Sequence, residues 1–268
     1  MASAAASAEE GSSPGRRRTP SWLENLQSER VDSFCERAIL WCVVLTLVWG
    51  PLATGGTNAR GFLVLLGLGV LILPLWVARI WTRKQYRFLF PPFAWTVLAF
   101  AGYAIWRYTQ ADIEFSAREE LLQVLLYALL FFAVLDNLSR QESIQVMLVA
   151  LIAIGVANSF YAIYQYFTDS PWVLWFAKPD VYRGRASGTY ICPNHLSGFL
   201  ELALPVALAF VLTGRMKPLT KVFFGYAAVM MLAGIAVTIS RAGFISLGAA
   251  LLVFFAVLLW NRDFRIPA

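Results

Sequence analysis

Long, unbroken apolar blocks constrain the fold of this 268-residue chain more than any other feature. A membrane-spanning helix needs about 20 predominantly apolar residues, with a range of about 17–25. Eight segments reach or approach that length: 38–54, 61–81, 89–107, 119–137, 143–166, 194–213, 222–239 and 243–260. The pattern predicts an all-α fold, a polytopic transmembrane helical bundle of about eight spans.

Composition excludes several other classes of protein. The chain is 59% hydrophobic and 14% charged, whereas a soluble domain is about 45–50% apolar and about 25% charged. The net charge is +6, but the basic residues flank apolar blocks and form no stripe with interleaved aromatic residues, so we expect membrane lipids and no nucleic acid as partners. Three cysteines without a C-x-x-C pair and a single histidine predict neither a metal site nor a cofactor.

The distribution of lysine and arginine predicts an orientation. With the N-terminus inside, inner segments hold 15 of the 22 basic residues and outer segments hold 7, which favours two cytoplasmic termini. Residues 1–36 are predicted to be a cytoplasmic tail, first disordered and then amphipathic, residues 37–260 the transmembrane helical domain, and residues 261–268 a second cytoplasmic tail. The outer loop 167–193 is the longest connection after the tail, and long loops usually carry function.

Three arginines on the outer side are candidate binding residues. Arg183 and Arg185 are separated by Gly184, and in an extended segment two such side chains point the same way. They are either ordinary loop charges or a pair that holds a diphosphate, because the planar guanidinium suits phosphate oxygens. Arg241, in the turn 240–243, either snorkels to the surface or faces a polar cleft shared with the loop.

The sixth predicted span begins with a polar face. Helical spacing places Asn194, Ser197 and Glu201 on one side, and Asn194 is a plausible N-cap. Glu201, an ionisable residue within a span, either pairs with Arg241, stays protonated or serves as a base. His195 is an interfacial histidine or an acid–base group; it lies roughly 120° from Glu201 on a helical wheel, so the two are not obvious partners.

Two stretches resemble the O-antigen ligase/polymerase family of bacterial inner-membrane proteins. The first is RASGTY at 185–190 with PNHL at 193–196 and the run 198–205, and the second is SRAG at 240–243. The resemblance covers about 143–260, and the earlier spans agree with the family in type only.

The resemblance implies a GT-C-like, metal-independent glycosyltransferase of lipopolysaccharide biosynthesis. Its donor would be a glycan on undecaprenyl diphosphate at the periplasmic face, and its acceptor lipid A–core or another glycan. By motif position Arg185 and Arg241 would hold the diphosphate, with Arg183 as an addition. Asn194 and His195 would line the cleft, beside Glu201 from the polar face. No catalytic base is assigned.

The chain also departs from the family pattern. Family members continue into a second large periplasmic loop with a histidine and further spans, whereas this sequence ends at Ala268, and His195 does not occupy that later position. We therefore expect a fragment or a shortened relative. Two other classes stay open: a transporter or flippase for lipid-linked sugars, and a non-catalytic membrane scaffold.

Overall fold

The prediction of an all-α fold is confirmed by a computed structural model, which is 80% helical. It describes residues 21–56, 58–83, 86–213 and 216–260, with side chains from residue 28 onward. The predicted disordered part of the N-terminal tail and the tail 261–268 lie outside these residues. The described helices are α1 Ser21–Leu52, α2 Ala59–Thr82, α3 Ala94–Thr109, α4 Glu114–Asn137, α5 Gln141–Phe167, α6 Pro193–Leu212, α7 Pro218–Val237 and α8 Arg241–Trp260.

Five of these helices, α2, α5, α6, α7 and α8, are long and apolar enough to cross a membrane. Helix α3 is shorter, with 16 residues. The predicted surface segment 21–36 and the first predicted span form one continuous helix, α1, of 32 residues. The long loop between α5 and α6 carries a two-residue antiparallel pair, β1 Trp172–Val173 and β2 Phe176–Ala177, and a short 3-10 turn at Asp180–Tyr182.

The helices pack as two groups that α1 joins. One apolar core is formed by α1, α2 and α4, around Ile39, Ile72 and Ala133. The other is formed by α5 to α8, around Leu200 and Met231. Helix α1 also packs against α5, and α3 packs against α4.

Glycines bring the helices of the second group close together. A Cβ placed on Gly234 of α7 would lie 2.5 Å from Ser159 Oγ of α5, and one on Gly243 of α8 would lie 1.9 Å from Ser197 Oγ of α6. Neither position has room for a side chain, so glycine is required there for the helix backbones to meet.

Helix direction alternates, so α1, α3, α5 and α7 finish at one end of the bundle. This is the loop end, because it carries the loop 168–192. Thr189 of that loop lies 2.7 Å from the carbonyl oxygen of Pro51 at the end of α1. At the opposite, distal end, Arg79 near the end of α2 donates to Asn137 at the end of α4.

Candidate functional site

Arg185 lies where the loop meets the ends of two helices. Its Nε donates to the carbonyl oxygen of Thr238, which follows α7, at 2.9 Å. Its Nη2 donates to Asn194 Oδ1, in the first turn of α6, also at 2.9 Å. A cation is favourable beside the carbonyl oxygens that end a helix, because they carry partial negative charge. One guanidinium thus fixes the loop against α6 and α7.

The backbone around Arg185 is held equally firmly. The Ala186 N–H donates to the Val237 carbonyl oxygen at 3.0 Å, and Lys178 Nζ donates to the carbonyl oxygen of Arg185 at 2.9 Å. Lys178 is only 7% exposed. Burial lowers the pKa of its ammonium group, and the Asp169 carboxylate acts in the opposite direction. In the sequence Lys178 is one of the seven basic residues of the outer segments and nothing distinguishes it, whereas the structure makes it a support for Arg185.

Arg241 begins α8, three residues after the Thr238 carbonyl that Arg185 contacts. Consecutive Cα atoms are 3.8 Å apart, so the Cα atoms of Arg241 and Thr238 lie within about 11 Å of each other. The Arg241 side chain is exposed; within the described part of the chain, its guanidinium has no hydrogen bond or ion pair. Arg185 and Arg241 therefore share one corner of the loop end.

The turn that presents Arg241 is tightly formed. The Ser240 hydroxyl accepts a hydrogen bond from the Gly243 N–H at 3.1 Å and so caps α8. Ile239 has a φ of 49°, a left-handed conformation that is unfavourable for a β-branched residue. Thr238 and Ser240, on either side, are buried. Burial of these two residues stabilises the conformation of the turn, and α8 begins directly after it, at Arg241.

Arg183 is directed elsewhere. Its guanidinium pairs with Asp180 at 2.8 Å, and the side chain is 69% exposed. The backbone is turned rather than extended, since Gly184 has a φ of 71° and the Arg185 N–H donates to the Tyr182 carbonyl oxygen at 3.3 Å. The expectation that Arg183 and Arg185 point the same way assumed an extended segment, and the turn removes that basis.

The residues at the start of α6 differ in their roles. Cys192 takes the N-cap position of α6, so the N-cap interpretation of Asn194 is wrong; the Asn194 amide oxygen instead accepts from Arg185. His195 is exposed, and its ring has no hydrogen-bond partner among residues that the structure describes. The pKa of Tyr182 lies above its usual value because the hydroxyl hydrogen-bonds to Cys192, while the charge of Arg185 opposes the shift.

Glu201 lies at the contact between α6 and α8. Its Oε1 accepts from Ser197 Oγ at 3.1 Å, and a Cβ on Gly243 would lie 3.2 Å from the same oxygen. Within the described residues Glu201 makes no ion pair with Arg241. The carboxyl group instead faces the first turn of α8, where the helix dipole favours a negative charge.

Two buried amides of α5 anchor the loop, and sequence reasoning missed both. Gln165 Oε1 accepts from the N–H groups of Ser187 and Gly188 at 3.1 and 2.8 Å, and its Nε2 donates to the Gly188 carbonyl oxygen at 3.0 Å. Asn158 Oδ1 accepts from the Thr189 N–H at 3.1 Å. The signal that could have identified them is an amide side chain inside an apolar span, because a buried polar group needs a hydrogen-bond partner.

A second polar cluster, also missed, lies at the distal end. Arg79 is fully buried; its Nε donates to Asp32 at 2.8 Å and its Nη2 to Glu36 at 2.9 Å. Arg83 and Arg140 add one ion pair each, to Asp32 at 3.0 Å and to Glu36 at 3.2 Å. Sequence reasoning counted all three arginines only as signals of orientation.

Fold and site together define a helical membrane protein with a polar, arginine-bearing cap at one end of the bundle. No family model, curated protein or solved structure matches the chain. Among the residues that the structure describes, no three histidine, cysteine, aspartate or glutamate side chains are grouped as a metal ion would require.

Proposed function

We propose that the chain is an O-antigen ligase-like glycosyltransferase with an eight-span, GT-C-like bundle. It transfers a glycan from undecaprenyl diphosphate to lipid A–core or another acceptor at the periplasmic face. The observation that supports this function is that Arg185 hydrogen-bonds to residues at the ends of α6 and α7, close to Arg241 at the start of α8. These two arginines belong to the two stretches that resemble the ligase family.

The proposed chemistry is a direct displacement. An acceptor hydroxyl attacks the anomeric carbon of the glycan, the carbon–oxygen bond to the diphosphate breaks with its electron pair going to the diphosphate oxygen, and the hydroxyl proton is released to water. Negative charge collects on the leaving diphosphate, and positioned arginines stabilise that charge without moving a proton.

Free hydrogen-bond donors suit Arg185 to that role. A guanidinium has five N–H donors, and Arg185 commits only Nε and Nη2 to Thr238 and Asn194. Its Nη1 donates to none of the residues described here, so both Nη1 N–H groups are available to phosphate oxygens. The N-termini of α6 and α8 lie at the same end, and helix N-termini favour anions.

A binding experiment on the purified full chain tests the two arginines. The probe is farnesyl diphosphate, and the variants are Arg185→Gln and Arg241→Gln. A hydrogen bond to a charged group contributes about 1.5–3 kcal/mol, so each variant should bind the probe roughly 10- to 150-fold more weakly. Arg60→Gln is the matched control, since Arg60 is an exposed arginine at the start of α2, at the same end.

Two results would overturn the proposal, each at a different step. Probe affinity that falls no further in Arg185→Gln and Arg241→Gln than in Arg60→Gln would remove the diphosphate site. Full glycan transfer in cells by variants that no longer bind the probe would remove the transferase role, even if the site exists. The proposal requires that both variants insert in the membrane at the normal level and lose transfer.

The proposed location is the bacterial inner membrane, with both termini in the cytoplasm and the loop end in the periplasm. The 15-to-7 distribution of basic residues supports this orientation. Val181, 76% exposed in the loop, and Leu219, 82% exposed at the distal end of α7, are suitable reporter positions. In a Cys192→Ser background, Val181→Cys should react with a membrane-impermeant maleimide in cells whose outer membrane alone is permeabilised. Leu219→Cys should react only after lysis, and the reverse pattern would refute the orientation.

A further inference from the structure

We infer that the cleft between α3 and α4 is a binding site for one phospholipid whose headgroup carries both a phosphate and an ammonium group, as in phosphatidylethanolamine. The site is independent of the proposed transferase function. It lies on the opposite group of helices from Arg185, and α3 packs chiefly on α4.

Two adjoining cavities form this α3–α4 groove. The one farther from the loop end, about 320 Å³, is almost entirely apolar and is lined by Thr96, Val97, Phe100, Val124, Tyr127 and Ala128. The second, about 240 Å³, opens at the loop end, and its lining includes Arg107, Tyr108 and Glu120. Both cavities are lined by Phe100 and Val124. They therefore form one groove with an apolar interior and a polar mouth.

The length of the groove matches one leaflet of a bilayer. Thr96 and Arg107 are eleven residues apart on α3, which is about 17 Å along a helix. The hydrocarbon core of a bilayer is about 30 Å thick, so one leaflet measures about 15 Å. An acyl chain lying in the groove therefore ends with its headgroup beside Arg107.

The charges of the mouth select the headgroup. Arg107 and Glu120 line the same cavity, and neither forms an ion pair within 4.0 Å with any residue that the structure describes. The guanidinium complements a phosphate and the carboxylate complements an ammonium group. An anionic lipid without the ammonium group would satisfy Arg107 alone and would place its charge near Glu120.

A second apolar groove in the same bundle provides a contrast. It lies between α1 and α4 and is lined by Val43, Thr46, Leu47, Leu130, Phe131, Val134 and Leu135. Its lining carries no charge, so it offers contact with any acyl chain and selects no headgroup. The combination of an apolar channel with one cation and one anion at its mouth distinguishes the α3–α4 groove.

Native mass spectrometry of the detergent-purified full chain tests the inference. Phosphatidylethanolamine and phosphatidylglycerol with identical acyl chains are added in turn. An exposed charge pair contributes about 0.2–1 kcal/mol, so the wild-type chain should retain the ethanolamine lipid up to about fivefold better. Glu120→Gln should abolish that preference, and Arg107→Gln should weaken retention of both lipids. Glu119→Gln is the control, since its carboxylate is exposed one residue away and does not line the groove.

A pair of phenylalanine substitutions tests the groove itself. Ala104 lines it, so Ala104→Phe should fill it and reduce retention of both lipids. The neighbouring Ile105, 49% exposed, is not part of the lining, and Ile105→Phe should change nothing. Equal retention of the two lipids by the wild-type chain, or equal effects of Glu120→Gln and Glu119→Gln, would overturn the choice of headgroup. Unchanged retention in Ala104→Phe would overturn the site.

Discussion

Replacing Arg79 by methionine should destabilise the bundle far more than replacing the partly exposed Arg83. The Arg79 side chain is fully buried between α1, α2 and α4. It makes hydrogen bonds to two carboxyl groups of α1, Asp32 and Glu36, and to Asn137 of α4. Methionine has a similar apolar volume, so the substitution removes the charge and all of these bonds but leaves little empty space.

The size of the effect follows from what remains after the substitution. Removing one partner of a buried ion pair typically costs 3–5 kcal/mol, because the other charge stays buried and unpaired. Here Asp32 keeps Arg83, and Glu36 keeps the more exposed Arg140. We therefore expect the lower part of that range, about 3 kcal/mol, which corresponds to a fall of roughly 6–12 °C in the unfolding midpoint of a chain of this size.

Unfolding of the detergent-solubilised chain, followed by tryptophan fluorescence during heating, measures this effect. Arg83→Met is the matched control, since Arg83 is one-third exposed and has a single ion pair to Asp32. Pairs as exposed as this contribute about 0–1 kcal/mol. Equal midpoints for Arg79→Met and Arg83→Met would refute the argument that burial of Arg79 makes its contacts decisive.

Three further predictions follow from individual contacts. Burial raises the pKa of Asp32, but the hydrogen bonds to Arg79 and Arg83 outweigh burial and leave that pKa below its usual value. The stability that the Asp32 carboxylate provides should therefore be lost as the pH falls below about 4. Asp32→Asn should lose less stability over the same pH range. Gly243→Ala should destabilise the chain by about 1–3 kcal/mol through overpacking, because its Cβ would lie 2.8 Å from Ser197 Cβ, and Ser197→Gly should restore part of the loss in thermal unfolding. Gln165→Leu leaves the loop N–H groups of Ser187 and Gly188 without their acceptor, so trypsin should cleave the loop faster than in the wild-type chain.

Hydropathy predicted each helix but misplaced some of their ends. The third predicted span begins at residue 89, whereas α3 begins at Ala94, because Pro91 and Pro92 disfavour a helix in the residues that precede them. The first predicted span begins at residue 38, whereas α1 begins at Ser21. Asp32 and Glu36, in the polar part of α1, form ion pairs with Arg79 of α2 and so hold this part against the bundle in continuation of the apolar part. Such pairs join residues far apart in sequence and have no local signal.

The candidate site was predictable only in part, for a similar reason. Arg241 was identified because a charge near an apolar span is unusual. Arg185 was identified because it lies two residues from Arg183 and because a guanidinium suits phosphate oxygens. Lys178 was not, since its burial depends on how the loop folds over itself. The expected pairing of Arg183 with Arg185 required an extended backbone, whereas the chain turns at Gly184, which has a φ of 71°.

The stretch 185–189 combines one candidate binding group with three anchors. Arg185 keeps free donors, whereas Ser187, Gly188 and Thr189 are tied to α5 through Gln165 and Asn158. Residues 187–189 therefore have a role in packing the loop that is separate from the proposed chemistry. Within this stretch, substitutions at Ser187, Gly188 and Thr189 test the fold of the loop. A substitution at Arg185 tests both the fold and the proposed transfer, because Arg185 also binds the ends of α6 and α7. Measuring both thermal unfolding and diphosphate binding on the same variants distinguishes an effect on the fold of the loop from an effect on the binding site.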